Sequence, residues 1–493
     1  MNRQYYELYP DLTAFINEID RNGITPEILN KILTQHESNA LYNKELYDRY
    51  QVLDIGVPIF QREPRFEGEE NAINNKVAND FFSEIVDIKT GYFAGKPIGY
   101  SYSASQEAVE DTGGDIAREI AQRALTDFTT RNNMYDIDME ITKFAAICGY
   151  AGRLLYIDAE GNERVMVSPP YETVILSRKR DITEPDYAIR YFKCEDTNGN
   201  PFWLAEFYDD KNVTYFKGDS FNTMELDPER PAKPHMFDYC PLQGIPNNAE
   251  LMGDAEKVLS LIDAYDRVIS DNSNEIESFA NAHIVWENVN IEDDEIKKAQ
   301  KSGSIHFWNG SGEGKIYYLT KPTTGDFSEN HLNRLEDNIY RFSKTPNLGD
   351  ESFGTASGVS LKFKITGLET KCGMFQAKMQ SAGNYMFKVL SSSLAKRRVA
   401  LDPLQCIMTF KRNFPLDLLS EAQSASALIG AGLPKRAAFA ELSFVDDVEE
   451  IMQMIEEEKD GIPDLDEDTP LDEPEQNEED EMSEDEDDTQ EIG

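Results

Sequence analysis

The sequence predicts an α+β protein that is mostly helical, and three observations carry that expectation. Apolar residues recur at helical spacing over the first 150 residues. Between residues 154 and 216 the period switches to two. From Leu251 long helical patterns return, interrupted by one short β-rich insert. With 493 residues, 40% of them hydrophobic, and with 23 Tyr and 26 Phe, the chain can build two or three domains with cores of their own.

Residues 11–50 read as two helices. Leu12, Phe15, Ile16 and Ile19 share one face of the first, and Thr25, Pro26 and Glu27 start the second with proline in its first turn. After an irregular stretch from Pro58 to Glu70, Asn75–Phe93 is amphipathic, and Gly91, Gly95 and Pro97 end it. Residues 114–148 suggest two more helices. The run LLYIDAEGNERVMVSP, from Leu154, is a hairpin turning at Gly161 and Asn162. Strands follow at 172–176, 187–193, 202–208 and 213–216, before five prolines break up 228–246. Residues 251–281 form one helical pattern of about 30 residues, roughly 45 Å long. The insert after it contains AHIVWENV, GSIHFWNG and KIYYLT. Another helix spans 327–344, with Leu332, Leu335, Ile339 and Phe342 on one side. A loop rich in Gly, Ser and Thr covers 345–358, and a long helix runs from about Val359 to Arg398. Residues 416–458 are helical again. Beyond Lys459 there are too few apolar residues to fold, so a disordered acidic tail is expected at 459–493.

Several functions are excluded. The five cysteines (Cys148, Cys194, Cys240, Cys372 and Cys406) are dispersed, as buried thiols in a reducing compartment are. The first twenty residues lack the apolar core of a signal peptide, and no stretch approaches the roughly 18 apolar residues of a membrane helix, so a soluble protein without a membrane partner is expected. The net charge is −44, and the stretch from Glu456 to Gly493 holds 21 acidic residues against Lys459 alone. The rest of the chain, at about −24, repels phosphate and disfavours tight DNA binding, although DNA could slide past it. No phosphate-binding loop exists, since Gly314-Lys315 is followed by Ile316 and Gly95-Lys96 by Pro97. The histidines (His36, His235, His283, His306 and His331) are scattered, and the acidic pairs Asp209-Asp210 and Asp293-Asp294 lie in polar loops. No catalytic, cofactor-binding or metal-binding residues are assigned, and no enzyme is expected.

Four segments, spread over residues 40–415, together resemble the phage portal family of the SPP1 type. They are Asn75–Tyr102, the stretch 145–176 (AAICGYAGRLLYIDAEGNERVMVSPPYETVIL), the stretch 252–286, and Ser357-Gly358 leading into VSLKFKITGLETK. In the third, Gly253-Asp254, Ile262-Asp263-Ala264-Tyr265, Ser270-Asp271 and Asn274-Glu275 carry the likeness. The resemblance implies a virion protein of the capsid vertex, assembled as a ring of about twelve around a channel for double-stranded DNA. Packaging and ejection of the genome would run through that channel. The implied partners are further copies of the chain, terminase, an adaptor or head-completion protein, and the major capsid and scaffold proteins; assembly takes place in the host bacterial cytoplasm. The alternative is another structural head protein, a minor capsid or shell subunit.

By the same resemblance, residues 1–250 form the N-terminal part of a wing, 251–281 a first stem helix, 282–326 a β-rich clip and 327–344 a second stem helix. The tunnel loop would be 345–358, the long helix and return to the wing 359–415, and a helical crown 416–458. Two long helices around a small β insert suit a narrow stem carrying a protruding module. The tunnel-loop candidates are Leu348, Gly349, Asp350, Glu351, Phe353 and Gly354. Arg334, Arg341, Lys344, Lys362 and Lys364 could face DNA, and Trp286, Phe307, Trp308, Tyr317 and Tyr318 would form the small core of the clip.

Overall fold

A computed structural model describes residues 12–64, 73–103, 112–280, 284–289, 305–307, 313–318, 325–349, 358–414 and 418–440, with a few positions between 442 and 455. The tail from 459 lies outside the described residues. The chain divides into two compact units, Met1–Phe414 and Pro415–Gly493.

The first unit opens with α1 (Leu12–Asn22) and α2 (Pro26–Tyr50), where the Thr25 side chain accepts from the Ile28 amide as N-cap. Next come α3 (Phe81–Ala94), β1 (Gly99–Tyr102), α4 (Thr112–Arg131) and α5 (Met134–Cys148). The expected hairpin is β2 (Tyr150–Ile157) and β3 (Glu163–Ser168). Its turn holds Gly161 at φ 84°, and the Asp158 side chain accepts from the Glu160 and Asn162 amides. The strand β10 (Leu242–Pro246) pairs with β2, giving the order β10-β2-β3.

A larger antiparallel sheet runs β4 (Thr173–Leu176), β5 (Tyr187–Glu195), β6 (Pro201–Tyr208), β7 (Asn212–Gly218) and β8 (Glu225–Leu226), with β9 (Lys233–Pro234) also on β7. The hydrophobic faces of α1 and α2 close over it. Phe15, Ile16, Ile19, Ile32 and Leu33 share a core with Val174, Ile189, Phe207 and Phe216.

Beyond β10 come α6 (Leu259–Ala280), a small sheet of β11 (Ile284–Glu287), β12 (Ile305–Phe307) and β13 (Lys315–Tyr318), and α7 (Gly325–Ser343). The short α8 (Gly358–Lys364) and the long α9 (Thr366–Lys396) follow, with a break at Ile365 in what the sequence suggested was one helix. Then β14 (Cys406–Thr409) returns to pair with β1, Gly99 opposite Thr409. The buried face of α9 forms the main core with α4, α5 and the inner side of β2 and β10. In the second unit, α10 (Leu418–Gly430) and α11 (Lys435–Ala440) are joined by a turn with Gly432 at φ 96°.

Three further expectations need correction. The helix read from Asn75 begins only at Phe81, because the preceding backbone donors are taken by side chains of α6. The helix read from Leu251 begins at Leu259, after a 3-10 turn at Glu256–Val258, since Asp254 N–H bonds to the Ala146 carbonyl at 2.7 Å instead of propagating a helix. Phe342, read as sharing one side of the helix with Leu332, Leu335 and Ile339, is 53% exposed while those three are buried. Tyr340, about 200° away around the helix, turns inward against Phe81 instead.

Candidate functional site

The helices α6 and α7 lie antiparallel. Ser328 near the start of α7 bonds Asn272 near the end of α6 at 2.9 Å. At the other end Tyr340 and Tyr265 both pack on Phe81. The apolar side of the pair, with Ile262 and Ile339 and with Val258 of the turn before α6, closes a core against Phe82, Ile85 and Val86 of α3.

A second face of α6 is fixed by hydrogen bonds rather than packing. The amides of Asn75, Val77 and Asn79 donate to Asn274 Oδ1 (2.6 Å), Ser270 Oγ (3.0 Å) and Asp266 Oδ1 (2.9 Å). Two residues of extended chain advance about 6.6 Å and four residues of helix 6.0 Å, so alternate amides meet every fourth side chain. Arg62 bonds Asp271 and Arg49 grips Asp263 with both Nη atoms, at 2.9 and 3.5 Å. Asp263, Tyr265, Ser270, Asp271 and Asn274, which carry the family likeness, are therefore among the residues that fasten α6 to the body, together with Asp266.

The foot of the pair holds a buried charge centre. Asp254 is within 2.8 Å of Lys89 Nζ on α3 and 3.0 Å of Lys371 Nζ on α9. Lys89 also donates to Asn247 Oδ1, and Lys371 to the Ser343 carbonyl at the end of α7, at 2.8 Å. Burial pushes the Asp254 carboxyl up, but the two ammonium groups outweigh it and hold the carboxyl below its ordinary value. Burial pulls Lys371 down, opposed by Asp254. Gly253 is required beside it, since a Cβ there would meet the Ile147 carbonyl oxygen at 2.2 Å. Nothing in the spacing of Lys89, Asp254 and Lys371 could have revealed this centre, because the three lie on elements far apart in sequence.

At the far end of the helix pair the three strands form one sheet, β12-β11-β13, with β12 parallel and β13 antiparallel to β11. Val285 is buried and Trp286 half-buried, whereas Tyr317 is 45% exposed. Phe307 and Tyr318 lie on β12 and β13, and Trp308 is outside the described residues.

The segment leaving α7 is pinned at its start. Lys344 takes a left-handed backbone (φ 59°), Thr345 N–H returns to the Tyr340 carbonyl, and Asn347 Nδ2 bonds Glu336 at 3.1 Å. Leu348 and Gly349 then stand exposed, while Asp350, Glu351, Phe353 and Gly354 lie outside the described residues. Arg334, Arg341, Lys344, Lys362 and Lys364 are all exposed. The first three cluster on α7 and its end, and the last two lie on α8.

Among the described residues no helix is long and apolar enough to cross a membrane, and no group of His, Cys, Asp and Glu could hold a metal. The helix pair is thus footed on a buried charge centre and tipped with a small sheet. In comparison with known families, the description "phage portal protein, SPP1 Gp6-like" matches residues 29–463, and the chain belongs to that family. It is 24% identical over 432 residues to the portal protein of Clostridium phage phiCD119, covering 84% of this chain and 90% of that protein. It is 23% identical over 408 residues to the portal protein of Bacillus phage SPP1, covering 79% and 77%.

Proposed function

We propose that this chain assembles into a closed ring of about twelve subunits at one vertex of a phage head, forming the channel for DNA packaging and ejection. In this reading terminase and an adaptor protein dock on the ring in turn. The helices α6 and α7 are the stem, the sheet β12-β11-β13 is the clip, the segment from Thr345 to α8 is the tunnel loop, and the second unit contributes the crown. Family membership supports a structural role in the virion.

The observation that carries the ring is apolar surface on and beside the helix pair. Ile276, Phe327, Phe342 and Phe363 are 71%, 74%, 53% and 77% exposed. Large apolar side chains standing exposed on α6, α7 and α8 are what a subunit leaves for its neighbour to cover. The acidic body fits a channel wall that lets DNA slide without adhering. Exposed Arg334, Arg341, Lys344, Lys362 and Lys364 then supply only local, transient phosphate contacts.

Electron microscopy of the purified protein tests this directly, with closed rings of about twelve expected. Ile262 is part of the subunit's own core, so the lateral contact is best probed at exposed positions. Ile276→Asp with Phe363→Asp should leave a folded monomer by light scattering and circular dichroism. Intact rings from that variant would remove these residues from the interface.

A further inference from the structure

The main core holds a concentration of unpartnered polar atoms that an apolar interior cannot tolerate. Arg153 on β2 and Gln243 on β10 face each other in register, both fully buried. They share the sheet face that carries Ala151, Leu155 and Ile245 into the core. Arg153 Nη2 donates to the Ala382 carbonyl on α9 at 2.7 Å, but its Nε and Nη1 have no protein acceptor. Neither the oxygen nor the nitrogen of the Gln243 carboxamide has a partner. Asp138 on α5 accepts from Tyr100 Oη on β1 at 2.7 Å through Oδ2, and its Oδ1 is buried and bare of protein donors. Asp138 and Arg153 are close enough to influence each other's charge. Five such atoms, each left bare, would forfeit hydrogen-bonding energy comparable with the net stability of a domain.

We propose that Arg153, Gln243 and Asp138 enclose a buried cluster of ordered water that bridges the Asp138 carboxyl to the Arg153 guanidinium through the Gln243 carboxamide. Chemistry selects water over an anion. The unpartnered set contains donors (Arg153 Nε and Nη1, Gln243 Nε2) and acceptors (Asp138 Oδ1, Gln243 Oε1), and only a molecule that both donates and accepts satisfies all of them. A chloride ion would serve the donors and leave the Gln243 Oε1 acceptor bare. The cluster ties β1, β2, β10, α5 and α9 together at the centre of the wing, and the inference stands whether or not the chain forms a ring.

A structure of the purified protein at a resolution that shows ordered solvent decides the point. Discrete density is expected within hydrogen-bonding reach of Arg153 Nε and the Gln243 carboxamide. Direct bonds among the three side chains, with nothing between them, would overturn the proposal. Stability gives an independent check. Gln243→Leu should lower the melting temperature, and the loss in the Arg153→Met, Gln243→Leu double variant should be smaller than the sum of the single losses. Additive losses, or stabilisation by Gln243→Leu, would mean that no shared water network exists. Exchanging chloride for gluconate at constant ionic strength should leave the wild-type melting temperature unchanged. A drop on removing chloride would assign the site to an anion instead.

Discussion

Replacing Asp254 by asparagine keeps the side chain's size and removes its charge, leaving the ammonium groups of Lys89 and Lys371 facing each other in the core. In the native protein each is held to one carboxylate, at 2.8 and 3.0 Å. Removing one member of a buried ion pair typically costs about 3–5 kcal/mol, chiefly because the charge left behind is uncompensated. Lys371→Met works the other way. It discards the surplus positive charge, keeps the Lys89–Asp254 pair, and gives up mainly the bond to the Ser343 carbonyl, for a cost of about 1 kcal/mol. For a unit of this size, at roughly 2.1 cal/mol/K per residue, 4 kcal/mol lowers the melting temperature by about 5 °C. The pH dependence has a definite sign. The folded carboxyl lies below its ordinary value, so its contribution is complete above the unfolded value of about 3.9 and is lost as pH falls through the folded one. Scanning calorimetry of wild type and both variants at fixed protein concentration should show Asp254→Asn far below the other two at pH 7. The gap between wild type and Asp254→Asn should begin to close below about pH 4 and vanish only below the folded value. Equal losses in the two variants at pH 7 would refute the charge argument.

Asp138 has the opposite sign. Burial raises it to about 7 against the Tyr100 bond and the Arg153 charge, so the folded state binds its proton more tightly than the unfolded chain does. Its contribution is complete below about pH 3.9 and is lost as pH rises towards 7; wild type should therefore lose stability relative to Asp138→Asn between about pH 4 and 7 in parallel denaturant titrations, with no further change above that. Paired cysteines at Leu348 and Gly354, once oxidised, should leave ring assembly intact and block packaging or retention of DNA in a phage complementation assay; normal phage yield would return 345–358 to the role of a connector. Deleting residues 459–493 should leave ring assembly unchanged by light scattering, and loss of rings would make the acidic tail structural.

Much of this protein follows from local pattern. The switch of hydrophobic period near Leu154 marks the hairpin β2–β3, and Thr25 and Pro26 mark the start of α2, each through interactions within a few residues or one turn of chain; the strands of the insert between the two long helices were legible as apolar runs, although their pairing spans 20 residues or more. The limits of the helices were less legible. The donors of Asn75, Val77 and Asn79 had α6 as an alternative to their own carbonyls, and Asp254 N–H had the carbonyl of Ala146. Those partners lie about 190 and 108 residues away, where no window along the sequence reaches. The inward turn of Tyr340 and outward turn of Phe342 likewise depended on where Phe81 packs.

The sequence by itself determined the fold class, the order of elements and the family likeness, because hydrophobic period, turn chemistry and motif order are properties of neighbouring residues. Only the tertiary structure brought Lys89, Asp254 and Lys371 into one charge centre, set Arg153 opposite Gln243 and within electrostatic reach of Asp138, and fixed which face of α6 is fastened and which apolar side chains stay exposed. Those are contacts between residues far apart along the chain, and their energies depend on distance and burial, which a linear pattern does not contain.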